Sequence, residues 1–180
     1  MERNVNGVHI SLRKGDIAAQ DDVVAVVNAA NAELKPGGGV AGALHRAAGP
    51  GLYEACKDKA PLEPGEAVIT EGFNLQNAYV IHCLGPVYGV DTPEAEKLRS
   101  CYIRALQLAE EHHVESIAFP ALSAGAFEYP LDEAAKIALS TVMKKTPTLS
   151  HIKRIRFVLF DDATFTAFKK AFEPMIEKQS

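Results

Sequence analysis

Two loops in this chain combine small residues with side chains able to hydrogen-bond in both directions. The first runs Asn28-Ala29-Ala30-Asn31, then Ala32 to Pro36, then Gly37-Gly38-Gly39-Val40-Ala41-Gly42. Three consecutive glycines are costly in chain entropy, and they permit positive φ and close approach of backbone to a ligand. Where such a run feeds a helix start, its free N–H groups make an anion site that needs no lysine. A merely flexible loop does not explain a triple glycine in that position. Amide side chains donate and accept, so they suit sugar hydroxyls or an ordered water beside a neutral reacting centre. One asparagine in a loop is ordinary turn chemistry. Two feeding a glycine run point to a role for one, and Asn31, nearer the glycines, is the candidate.

The second loop is Leu122-Ser123-Ala124-Gly125-Ala126-Phe127. Its small residues let backbone N–H groups face an anion, and Phe127 offers a flat apolar wall. Two loops of this kind at one sheet edge suit a diphosphate. Elsewhere, Gly15-Asp16-Ile17 places a carboxylate in a tight turn, and Phe160-Asp161-Asp162 follows an apolar run. Asp16 has two readings: it accepts a hydrogen bond from an exocyclic base amine, or it caps a helix. Phe160 could stack on a base.

Other chemistries fit less well. Gly37, Gly39 and Gly42 satisfy G-x-G-x-x-G, but nine residues separate Val27 from Gly37, and the acidic residue expected about 20 positions later would be Glu63, in a Pro-flanked loop. A dinucleotide fingerprint is therefore rejected, and with no Walker lysine after the glycines so is a P-loop. His45, four residues beyond Ala41 and so on the same helix face, reads as a structural histidine with general base as the lesser alternative. His82 and Cys83 are adjacent in a predicted strand, point to opposite faces and read as packing residues. His112-His113 ends a helix, where cations are favoured. Nothing here calls for a metal or a cofactor.

The whole chain bounds these readings. Its 180 residues suffice for one domain, spanning 1–180, with its own core and a monomer as the default state. The 47% hydrophobic and 23% charged content is that of a globular domain. Nineteen basic against 23 acidic residues give a net charge of -4, so no broad cationic surface exists for nucleic acid or anionic lipid. Cys56, Cys83 and Cys101 are odd in number and widely spaced, which suggests neither disulfides nor a zinc site and fits a reducing interior. Met1 to Gly7 lacks the apolar core of a signal peptide, and no run approaches the roughly 18 residues that span a bilayer, so the expectation is the cytosol.

The elements that must position the loops alternate. Strands are predicted at Val8 to Leu12, Val23 to Val27, Glu66 to Thr70, Tyr79 to Cys83, Ser116 to Phe119 and Ile155 to Phe160. Helices are predicted over Val40 to Ala48, closed by Gly49-Pro50, over Gly51 to Lys59, Pro93 to His112, Asp132 to Lys145 and Ala163 to Ile176, with Pro174 expected to kink or end the last. This alternation is that of an α/β domain with a largely parallel sheet, whose ligands sit beyond the carboxyl ends of the strands.

Gly15-Asp16-Ile17, Val27 to Asn31, Gly37 to Val40, Ile81-His82-Cys83-Leu84-Gly85-Pro86 and Phe119 to Gly125 together resemble the macrodomain family, which binds ADP-ribose. The match in type, order and spacing covers nearly the whole chain. The resemblance implies a three-layer α/β/α sandwich with a mixed, largely parallel sheet. It implies that Asp16 and Ile17 recognise the adenine amine and that Phe160 stacks on adenine. It places the diphosphate against the glycine loop, Gly37, Gly38, Gly39 and Val40, and the Ser123, Ala124, Gly125, Ala126 and Phe127 loop, the distal ribose on Asn31 and Phe127, and Ala29 among the substrate-binding residues. It further implies that ADP-ribosylated proteins or O-acetyl-ADP-ribose are the partners, either as substrates of an ADP-ribosyl hydrolase with Asn31 as its catalytic residue, or as ligands of a non-catalytic reader. Ala41 departs from the mono-ADP-ribosyl hydrolase branch, where aspartate follows the Gly-Gly-Gly-Val run and helps place water; Val40 to Leu44 is closer to viral and some archaeal members, several of which still hydrolyse. Glu128 is a second departure, at a position where glycine is frequent.

Overall fold

The structure, a computed structural model, describes residues 1–177. Seven strands form one mixed sheet: β1 (Glu2–Val5), β2 (Val8–Lys14), β3 (Ala25–Ala29), β4 (Ala67–Glu71), β5 (Tyr79–Cys83), β6 (Ser116–Phe119) and β7 (Arg154–Leu159), in the order β1-β2-β7-β6-β3-β5-β4. The five inner strands are parallel, while β1 and β4 close the two edges antiparallel. The five helices are α1 (Gly39–Ala48), α2 (Pro50–Cys56), α3 (Glu94–Glu111), α4 (Leu131–Lys145) and α5 (Asp162–Glu177).

The sequence pattern accounts for the layers. In β3 and β6, Ala25, Val26, Val27, Ile117, Ala118 and Phe119 are all fully buried, which is why these runs show no polar alternation. On one face Ile10, Leu12, Ile117, Ile155 and Phe157 pack with Leu98, Tyr102, Ala138, Leu139 and Phe168 of α3, α4 and α5. On the other, Val26, Val80, Ala118 and Val158 pack under Leu44, Ala48 and Leu52 of α1 and α2. Gly49 ends α1 as expected, with φ +82 and its N–H on the His45 carbonyl. Among the described residues no helix is long and apolar enough to cross a membrane.

Four expectations shift. Strand β1 was not foreseen because only Val5 of its four residues is buried, yet Asn6-Gly7, with φ of +51 and +82, joins it to β2 in the left-handed turn that two-residue hairpins favour. The third strand starts at Ala25 rather than Val23. Helix α2 stops at Cys56, three residues early. Pro174 lies inside α5, which continues to Glu177, so the proline does not end the helix at its own position.

Because β2, β7, β6, β3 and β5 are parallel, Lys14, Leu159, Phe119, Ala29 and Cys83 all end at one edge. Every loop singled out in the sequence leaves from that edge.

Candidate functional site

At one end of this edge Gly15 donates its N–H to the Leu159 carbonyl at 2.9 Å, which brings the Asp16 turn beside Phe160. Phe160 lies one residue past β7 and is 80% exposed, so its ring is open to a planar ligand. The two readings of Asp16 prove compatible. Its Oδ1 accepts from the Ala18 N–H at 2.9 Å, capping the short 3-10 turn Ile17–Ala19, while Ile17 is buried beneath. The side chain remains exposed, and its second oxygen has no protein partner among the described residues.

At the centre, α1 begins at Gly39 with Gly38 as its N-cap and no side chain capping it. Of the three glycines only Gly39 has positive φ, +54. A Cβ on Gly38 or Gly39 would meet nothing within 4 Å, so these residues border open space from which a ligand can approach the first-turn N–H groups. Gly42 is required for another reason: a Cβ there would fall 2.2 Å from the Gly37 carbonyl oxygen. The glycine run therefore folds back onto the helix it opens. Val40 is half-buried and Ala41 buried, so no charged side chain enters from the first turn of α1.

Asn31 is not free. Its amide is clamped on Lys35, donating to the Lys35 carbonyl at 2.8 Å and accepting from the Lys35 N–H at 2.9 Å. One amide hydrogen and one lone pair are left over. The turn chemistry set aside for one asparagine thus belongs to Asn31 itself, and it fixes the side chain in place. Asn28, the other member of the pair, is buried in a polar row: its Nδ2 meets His82 Nδ1 at 3.1 Å, and His82 Nε2 meets Thr70 Oγ1 at 3.0 Å and Cys56 Sγ at 3.7 Å. Burial holds His82 neutral, with its pKa down to about 3, and pushes the Cys56 thiol up to about 11. This cluster is a brace under the loop and not a thiolate–imidazolium pair. His45 is also buried; burial lowers its pKa, and neither ring nitrogen has a protein partner among the described residues.

On the far side, Ser123 carries φ +64 and a buried hydroxyl without a protein partner, and Glu128 carries φ +62. Tyr129 N–H donates to the Ser123 carbonyl at 3.0 Å and Glu128 N–H to the Gly125 carbonyl at 3.0 Å, closing the loop on itself; Ala124, Gly125 and Ala126 form its crown. Phe127 is half-buried against Ala30, Leu34, Leu62 and Leu84, so it joins the second loop to the one after β3, in which Ala29 is the last strand residue.

The structure therefore collects Asp16, Ile17, Ala29, Asn31, Gly37, Gly38, Gly39, Val40, Ser123, Ala124, Gly125, Ala126, Phe127 and Phe160 at one edge. Sequence reasoning missed two supports. Lys35 holds the Asn31 amide through its backbone, which no side-chain pattern signals. Gly85, after β5, admits the Ser123 hydroxyl, since a Cβ there would lie 2.2 Å from Ser123 Oγ; the Leu84-Gly85-Pro86 turn was the available signal. The edge lines up backbone N–H groups with the Asn31 amide, an exposed aromatic at one end and a half-buried aromatic at the other. Such an array suits an elongated, anionic, sugar-containing ligand.

Comparison with known proteins agrees with this architecture. A family model described as Macro domain matches residues 27–138. A macro domain-containing protein of Chlorobaculum tepidum is 46% identical over 167 residues, covering 92% of this chain and 96% of that protein. A Klebsiella pneumoniae protein named O-acetyl-ADP-ribose deacetylase is 45% identical over 161 residues, 87% of this chain and 91% of that one. Among solved structures, the Oceanobacillus iheyensis macrodomain with ADP matches with a TM-score of 0.93 and 36% identity, covering 99% of this chain and 97% of that one. With the family model spanning more than half its length and these relatives matching nearly all of it, the chain belongs to the macro domain family.

Proposed function

We propose that this chain binds ADP-ribose along the carboxyl edge of its sheet and hydrolyses ADP-ribosyl esters, releasing mono-ADP-ribose from acidic side chains or acetate from O-acetyl-ADP-ribose. The observation that carries the reading is the clamped Asn31 amide beside the uncapped, glycine-lined start of α1. Adenine would sit between Asp16 and Phe160, the diphosphate over Gly37 to Val40 and the Ser123 loop, and the distal ribose between Asn31 and Phe127. The name of the Klebsiella relative and the ADP of the Oceanobacillus macrodomain support a ligand of this class.

The reaction would be one of position. A water held between the spare Asn31 amide group and a phosphate oxygen of the ligand attacks the ester carbonyl carbon. The phosphate accepts one proton of the water as its oxygen bonds to the carbonyl carbon, the loop N–H groups steady the developing charge, and as the carbon–oxygen bond to the ribose breaks the phosphate passes that proton to the departing ribose oxygen. No side-chain nucleophile is needed. Incubation with a glutamate-linked mono-ADP-ribosylated protein tests the reading: release of ADP-ribose is expected, and binding without release at micromolar enzyme would overturn it. Asn31→Ala should lower turnover about 100-fold, comparable to loss of one transition-state hydrogen bond, and affinity by less than about tenfold. Equal losses would mean that Asn31 only shapes the loop around Lys35.

The second reading is a module that recognises ADP-ribosylated proteins without turnover. Buried, apolar Ala41 favours it, because no carboxylate reaches the site from α1 to orient a water.

A further inference from the structure

On the face of the sheet away from α3, α4 and α5, the strands β2 and β7 present polar side chains to an open cleft of about 420 Å³. The register arranges them as a grid. His9 pairs with Arg154, Ser11 with Arg156, and Arg13 with Val158, all on one side, while Ile10, Leu12, Ile155 and Phe157 point into the core. Ser11 is therefore bordered by Arg156 across the ladder, by Arg154 on the diagonal and by Arg13 two residues along its own strand, and all four line the cleft.

The guanidiniums are held in different ways. Arg156 is buried, its side chain 7% exposed, and is forked onto Asp22 at 2.7 and 2.8 Å, with a further bond to Gln20 at 3.0 Å. Its Nε is buried and has no partner among the described residues. Arg154 donates to the Asp22 carbonyl at 2.6 Å. Asp22 thus anchors two cations, which hold its carboxyl far below the usual range, and Arg13 makes no ion pair among the described residues. The other carboxylate of the cleft, Glu2, is engaged by His9 at 3.2 Å.

We propose that this cleft is a second anion site, separate from the carboxyl edge, which takes a phosphate group between Arg13, Arg154 and Arg156 over the Ser11 hydroxyl. Three guanidiniums approaching from two strands suit a group with three or more charged oxygens, whereas the two oxygens of the Asp22 carboxylate engage only Arg154 and Arg156 and leave Arg13, among the described residues, without an anion. Arginine stays charged at any physiological pH, so the site needs no titration. The chain's net charge of -4 makes this a local feature and not a broad cationic surface.

The test uses the full chain labelled with nitrogen-15, titrated with pyrophosphate, with a five-nucleotide deoxythymidine strand, and with sodium chloride at matched ionic strength. Saturable shifts of the Arg156 Nε–H and of the Ser11 and Arg13 amides are expected with a phosphate ligand and not with chloride. Arg13→Gln, an exposed position without a partner, should weaken that binding about tenfold and leave ADP-ribose affinity by calorimetry unchanged. Tighter binding of the strand than of pyrophosphate would identify a nucleotide chain as the source; the reverse would identify a free phosphate compound. Unmoved resonances, equal shifts with chloride, or an Arg13→Gln variant that binds as the parent does would overturn the proposal. Because the resonances belong to β2 and β7, the result is independent of whether the carboxyl edge binds ADP-ribose.

Discussion

In the loop after β3, glycine provides room: Gly42 lies under the Gly37 carbonyl, and Gly38 and Gly39 face open space. In the loop after β6, residues with side chains take the left-handed conformation instead, Ser123 at φ +64 and Glu128 at φ +62, while Gly125 has neither positive φ nor any crowding. The first loop is braced by polar contacts, Asn31 on Lys35 and His82 on Asn28. The second is braced by Phe127 in an apolar pocket, by the Leu122 N–H donating to the buried Tyr102 hydroxyl at 3.2 Å, and by Tyr88 set edge-on to Tyr129. Both present backbone N–H groups to the same edge. Glycine count is therefore a poor guide to which residue matters; what counts is whether a Cβ would collide or a positive φ is imposed.

The comparison can be broken most severely at Gly42. Gly42→Ala forces the Gly37 carbonyl to move, and overpacking of that kind costs about 3 kcal/mol. A loss of that order in urea unfolding is expected, with ADP-ribose affinity down at least about tenfold by calorimetry. A normal affinity would mean that the glycine loop does not shape the site.

The polar brace has its own signature in pH. His82 is neutral in the fold, with a pKa down to about 3, while in the unfolded chain it titrates near the ordinary value of 6.5. Between those limits the unfolded chain binds the extra proton, so stability is full above pH 6.5 and falls as the pH drops from 6.5 toward 3. One such group contributes a slope of up to about 1.4 kcal/mol per pH unit. Urea midpoints measured at pH 7, 6, 5 and 4 should fall steadily in the parent and less steeply in His82→Gln, which retains the proton uptake of His45 and, toward pH 4, that of Asp22, Glu110 and Asp161, whose carboxyls are also held below their ordinary range in the fold. Identical slopes would place His82 outside the brace.

The smallest effect is expected in the second loop. Glu128 is exposed and held at positive φ, a conformation that costs a side-chain-bearing residue about 1 kcal/mol. Glu128→Gly should raise the thermal midpoint by roughly 2–4 °C, with ADP-ribose affinity moving less than about threefold. A lower midpoint would show that the Glu128 side chain contributes contacts outweighing the strain.

Much of the architecture was legible in the residues because burial leaves a period. Short β-branched or apolar runs marked β3, β5 and β6, that of Val23 to Val27 unbroken; the three- and four-residue steps of Leu98, Cys101, Tyr102, Ala105 and Ala109 marked α3; and Gly49-Pro50 marked the break between α1 and α2. Strand β1 escaped because a polar edge strand has little burial to leave a pattern, although Asn6-Gly7 was a hairpin signal. The site residues were legible as types, since small residues and amides in loops after buried strands have few purely structural explanations.

By itself the sequence determined which segments would be buried, which loops could offer backbone N–H groups, and that any phosphate had to be held locally, given a net charge of -4. Only the tertiary structure decided that Asn28 is buried on His82, that the absence of a Cβ at Gly85 leaves room for the Ser123 hydroxyl, and that Arg13, Arg154 and Arg156 share one cleft. The physical reason is the range of the interactions. Hydrophobic periodicity and turn propensity are written within a few residues, whereas long-range partner choice, steric collision and the clustering of like charges arise between segments such as β2 and β7, whose paired residues lie 145 positions apart and meet only when the sheet sets their register.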